Sequence, residues 1–141
     1  MNLRYIGGCH CGNIQLTFMS NLDPRQIKVR SCQCSFCRKH GSRTVSDPDG
    51  KLIVKVAEEE RLQRYMFAHR TAEFLICRCC GVFVAAVTVG PDQQRAVAQL
   101  NAITEDQYFG HAVTVDFSDE TRAERIQRRR DVWMPVQIEI S

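Results

Sequence analysis

The sequence predicts a mainly β domain with a short helix or two. Three observations carry that expectation. Many short runs alternate polar and apolar residues or are rich in β-branched side chains. Helix signals are confined to two places. Eight cysteines fall into three tight clusters, which tie distant parts of the chain together. At 141 residues, the chain has the length of one ordinary domain and can bury a single core.

The elements follow in chain order. In "NIQLTF", Ile14, Leu16 and Phe18 alternate with polar neighbours and predict a half-buried strand. "IKVRSC", from Ile27 to Cys32, predicts a strand entering the second cysteine cluster. "CSFCRKHG" predicts one helical turn after Cys34, stopped by Gly41. The turn signal "DPDG", Asp47 to Gly50, precedes the strand "KLIVKV". "RLQRYMF" and "AEFLIC" predict two strands leading to the third cluster, and "VFVAAVTV" predicts one leaving it. "AVAQL" and the terminal "PVQIEI" also read as strands. Between those two, "SDETRAERIQRRRD" predicts a surface helix. Ser118 would be its cap, Asp119 and Glu120 its acidic first turn, and arginines its last turn. Its apolar face is thin, with Ala123 and Ile126 as members. The triplet Arg128–Arg130 reads as a solvated face, with an anion or partner contact as the alternative.

Composition limits the function classes. The 44% hydrophobic and 25% charged fractions are those of a soluble globular chain. No run reaches the ~18–20 apolar residues of a membrane span. "MNLRYIGG" lacks the apolar run of a secretory signal, so the expected location is cytoplasmic. In a reducing compartment, clustered cysteines point to metal or catalysis rather than to disulfides. The formal charge of +3 is no argument for nucleic acid. Seven thiolates on two zinc ions would bring the net to about zero.

The clusters are Cys9-x-Cys11, Cys32-x-Cys34-x-x-Cys37, and Cys77-x-x-Cys80 with Cys79 between. In extended chain, residues two apart point the same way, so C-x-C presents both sulfurs to one ion. A C-x-x-C turn does the same, and Gly81 permits the bend. The simplest partition joins Cys9 and Cys11 to Cys77 and Cys80 as a closed, structural four-thiolate zinc site. Cys32, Cys34 and Cys37 then hold a second zinc with one position open, the pattern of a catalytic site. His40, in C-x-x-H spacing after Cys37, or Cys79 would close that position, and water or substrate would leave it exchangeable.

The set "GGCHCGNI", "CQCSFCRKHG" and "CRCCGV" resembles the glutathione-dependent formaldehyde-activating enzyme family, which includes centromere-protein-V-like proteins. The likeness runs from Gly7 to Asn101, with a looser echo in "VWMPV"; Tyr65 and Phe67 suit the family's aromatic-rich strand. Ile76 and the "NAI" of Asn101–Ile103 depart from it, where the family has phenylalanine and an Asn-Val-Arg-like segment. The resemblance implies one β-tent-like domain over residues 1–141, built of antiparallel sheets stapled by two zinc ions. It matches Cys9, Cys11, Cys77 and Cys80 to the structural zinc and Cys32, Cys34 and Cys37 to the catalytic zinc. It also implies a carbon–sulfur lyase of the S-(hydroxymethyl)glutathione synthase kind, adding a thiol such as glutathione to formaldehyde or a related small aldehyde. Arg38 and Arg43 flank the second cluster and are the expected carboxylate-binding residues. Two other readings compete: a non-enzymatic zinc-stapled binding module, and a redox sensor that releases zinc when the trio oxidises.

Overall fold

The computed structural model describes residues 3–141. The strands are β1 (Leu3–Gly8), β2 (Ile14–Ser20), β3 (Arg30–Cys32), β4 (Thr44–Val45), β5 (Lys51–Val56), β6 (Leu62–Tyr65), β7 (Ala72–Cys77), β8 (Phe83–Thr88), β9 (Arg95–Gln99), β10 (Val113–Val115) and β11 (Met134–Ile140). The helices are α1 (Ser35–His40) and α2 (Arg122–Val132), with four single-turn 3-10 segments in the loops. The protein is mainly β.

One layer runs β1-β2-β5-β11. A second contains β6-β7-β8-β9 and continues from β9 through β4 and β3 to β10. β11 joins the two. Its first residues pair antiparallel with β9, and Val136–Ile140 pair with β5. Most pairings are antiparallel as expected, but β11–β5 and β10–β3 are parallel, so the sheet is mixed. The α2 helix supplies part of the long return that a parallel β11–β5 pairing requires.

The β2 alternation holds as read: Ile14, Leu16 and Phe18 are buried and Gln15 is exposed. In β5, Leu52, Val54 and Val56 face the same core. β8 is buried over Phe83–Val87, because layers cover it on both sides. Each fully buried large side chain contributes roughly 1.5–3 kcal/mol. A smaller apolar cluster of Ala72, Phe83, Ala86, Val97 and Trp133 lies apart from the main core.

Three expectations are corrected. The strand expected from Ile27 begins only at Arg30, after Ile27 and Val29 are buried as loop residues. The α2 cap is Thr121, not Ser118. Thr121 and Glu124 satisfy each other's backbone N–H groups in a capping box, at 3.1 and 2.9 Å, which Ser118 has no partner to match. Glu120 therefore precedes the helix. Finally, the Arg128–Arg130 triplet is solvated only at Arg130. Arg129 is 8% exposed, Arg128 pairs with Glu120, and Arg130 pairs with Asp92. Among the described residues, no helix is long and apolar enough to cross a membrane.

Candidate metal centres and their cavity

The first cysteine cluster joins two turns. Cys9 and Cys11 lie in the β1–β2 connection, where Cys9 Sγ accepts the Ile14 N–H at 3.2 Å. Cys77 ends β7, and Cys80 lies in the turn that follows. Gly81, at φ 77°, takes a left-handed conformation that closes this turn through its N–H to Cys77 O at 2.9 Å. The four Sγ atoms lie within 4.8 Å of one another. Cys9–Cys11 and Cys11–Cys77 are 3.8 and 3.5 Å apart. Four sulfurs bound tetrahedrally at ~2.3 Å from zinc would be about 3.8 Å apart, so the donor set fits that ion. Burial pushes the Cys9 thiol up to about 11. Cys80 is pulled down to about 6: burial opposes this, but the N–H groups of Cys11 and Val82 prevail.

The second cluster is built by one short segment. Cys32 ends β3, Cys34 is the N-cap of α1, and Cys37 lies in its first turn. Cys34 Sγ accepts the Cys37 N–H at 3.4 Å, so one ligand-type atom also caps the helix. Gly41, in the left-handed region at φ 56°, ends α1 as expected. The three Sγ atoms again lie within 4.8 Å. Hydrogen bonds from the Cys32 and Cys37 thiols pull Cys34 far below the usual thiol range. The same contacts push Cys37 up. Three deprotonated sulfurs this close would need a cation between them.

α1 is held by its aromatic contacts. The Phe36 ring lies 4.9 Å from Phe74, 5.2 Å from Phe83 and 5.3 Å from Phe67. The His40 ring lies tilted against Phe36 at 4.5 Å and is not part of the sulfur cluster. Cys79 is exposed and also stands apart. Neither side chain is grouped with the trio.

A cavity of about 360 Å³ opens beside Cys32, Cys34 and Cys37. That is within the range of small-molecule sites. Its lining includes the apolar rings of Phe67, Phe74, Phe83 and Trp133 and the guanidinium groups of Arg30, Arg125, Arg128 and Arg129. Glu120 binds Arg125 at 3.3 Å and Arg128 at 2.7 Å, and the Arg128 guanidinium lies 3.6 Å over the Phe117 ring. Burial, together with Arg128 and Arg125, lowers Arg129 to about 10.

The expected carboxylate binders are placed elsewhere. Arg38 is exposed on α1 and does not line the cavity. Arg43 is drawn away by Asn101 Oδ1 at 2.7 Å and Asp106 Oδ2 at 2.9 Å. Arg38 follows buried Cys37 on α1 and turns outward, away from the cavity. The arginines that do line the cavity come from β3 and α2. The anion-contact alternative for the 128–130 triplet touches Arg128 and Arg129, but nothing in the sequence marks Arg30 or shows that these residues share a cavity.

A family profile described as glutathione-dependent formaldehyde-activating enzyme matches residues 4–120. In addition, a Rhodobacter sphaeroides protein of known crystal structure is similar in fold, with a TM-score of 0.57 and 27% identity. The match covers 78% of this chain and 99% of that one.

Proposed function

The chain belongs to the glutathione-dependent formaldehyde-activating enzyme family, and from that premise we propose that it joins a small thiol to formaldehyde or a related small aldehyde. Cys9, Cys11, Cys77 and Cys80 would hold a structural zinc, and Cys32, Cys34 and Cys37 a reactive one. The observation that carries the reading is the trio of sulfurs facing a cavity, with neither His40 nor Cys79 grouped with it.

Zinc bound there would supply thiolate at neutral pH and polarise a carbonyl oxygen. The protein's own groups do the rest. The trio fixes one end of the site on a helix N-terminus locked by Phe36. Phe67, Phe74 and Phe83 would give the aldehyde an apolar surface beside the trio. In the reaction the thiol S–H adds across C=O: a C–S bond forms, the C=O π bond breaks, and the proton passes from sulfur to oxygen. No electrons are gained or lost. Water entering the cavity would relay that proton.

The binding-module and sensor readings gain no specific support from this geometry. Exchange NMR with ¹³C-formaldehyde and glutathione tests the proposal. The zinc-loaded protein should accelerate exchange between hydrated formaldehyde and its glutathione adduct, and Cys37→Ser should abolish the acceleration while the chain stays folded. Unchanged exchange rates with the fully loaded wild type would refute it.

A further inference from the structure

Two arginines that line the cavity, buried Arg129 and half-buried Arg30, each keep a buried guanidinium nitrogen without a partner. Arg129 is 8% exposed. It donates from Nη1 to Thr71 Oγ1 at 2.6 Å and lies 4.6 Å over the Trp133 ring, but its buried Nε has no partner and no carboxylate pairs with it. Arg30, in β3, makes no side-chain hydrogen bond or ion pair among the described residues, and its Nη1 is buried without a partner. Both line the cavity that holds the cysteine trio.

Nearby acids do not answer them. Glu120 is engaged by Arg125 and Arg128. Asp116 lines the cavity but is exposed and accepts the Ser118 N–H at 3.0 Å. A zinc ion on three thiolates would carry one net negative charge. That offsets one guanidinium and leaves the other. Unpaired buried charge is costly, so an arrangement of this kind fits an anion that arrives from outside. Planar guanidinium groups match the fork of a carboxylate.

We propose that Arg30 and Arg129 bind a carboxylate of the thiol substrate, so that the cavity selects an anionic thiol with its sulfur at the trio and its acid group on the two arginines. Phe67, Phe74 and Phe83 in the same lining suit a short methylene spacer. The sulfur end rests on the zinc reading above; the arginine end does not. Arg30 lies within the segment that the family profile matches, and Arg129 lies beyond it, in α2.

The test compares 3-mercaptopropionate with 3-mercapto-1-propanol, which differ in the acid group. Binding to the zinc-loaded protein is followed by the fluorescence of Trp133, the sole tryptophan, which lies against Arg129. Entry of the sulfur is followed separately by visible absorption of the cobalt-substituted protein. The wild type should favour the acid by roughly tenfold to a hundredfold, the worth of charge-assisted hydrogen bonds. Arg30→Gln and Arg129→Gln should each bring that ratio to within about threefold of unity. Arg129 also supports Thr71 and Trp133, so Arg30→Gln, which breaks no side-chain bond, carries the test if Arg129→Gln does not fold. A third probe, 3-(methylthio)propionate, has the acid but no thiol. If neither thiol alters the cobalt spectrum yet this probe still shifts Trp133 fluorescence in an Arg30-dependent way, the metal–thiol reading fails and the arginine site stands. Equal wild-type affinity for acid and alcohol, or full acid preference retained in Arg30→Gln, overturns the proposal.

Discussion

Replacing Cys9 and Cys11 together by serine removes one arm of the four-sulfur clip. Cys11 is exposed, and a serine oxygen at position 9 can still accept the Ile14 N–H, so packing changes little. The loss is the cross-link itself. Cys11 and Cys77 are 66 residues apart. Closing a loop of that length removes roughly 4 kcal/mol of unfolded-chain entropy, and metal–sulfur bonding adds to it. Against a total stability of about 5–15 kcal/mol, that is a large share. Thermal unfolding followed by circular dichroism should show the midpoint falling by about 10–15 °C, with one zinc lost per chain. Cys79→Ser is the matched control, two residues from Cys77, exposed and outside the cluster. It should change stability by no more than ~0.5 kcal/mol. Equal shifts in the two variants, or full zinc content after the double replacement, would refute the clip.

Leu75, fully buried in β7, should cost about 2–5 kcal/mol when cut to alanine, read from denaturant midpoints. Thr121→Ala removes the α2 cap and should cost ~1 kcal/mol, with earlier amide exchange at Glu124 than in the wild type. Glu120 carries a pH prediction: burial pushes its carboxyl up, but hydrogen bonds and charge from Arg128 and Arg125 prevail and hold it below its ordinary 4.5. Its stabilisation is therefore complete above pH 4.5 and is lost as the pH falls through the depressed value. Glu120→Gln should cost of order 1 kcal/mol or less at neutral pH and should flatten the acid limb of a stability–pH curve. An acid limb unchanged by the substitution would show that the ion pairs contribute nothing.

The strands carrying strong alternation were legible from residue types alone. Ile14, Leu16 and Phe18, or Leu52, Val54 and Val56, reveal their face because each is buried on one side. β1, β4 and β10 were not read, for different reasons. β4 is two residues long, too short to show a period. β10 is largely exposed, so burial imposes no pattern on it. β1 buries Tyr5 but leaves Leu3 and Ile6 exposed, which inverts the usual contrast. The parallel β11–β5 pairing depends on contacts far apart in the chain and leaves no local trace. The cysteine groups were legible because ligand spacing is a local constraint, and the structure gathers the same two sets. The arginines lining the cavity were not. Arg30 and Arg129 are ninety-nine residues apart and meet only through the packing of α2 over the cavity, while Arg38 and Arg43 were favoured by nearness along the chain.

Zinc content with X-ray absorption at the zinc edge addresses the central claim most directly. Two zinc ions per chain are expected, one with four sulfurs from Cys9, Cys11, Cys77 and Cys80, the other with three sulfurs from Cys32, Cys34 and Cys37. Added thiol should raise the sulfur count of the second ion alone. A single zinc per chain, or a second ion whose shell is already closed by protein ligands and ignores added thiol, would contradict the account.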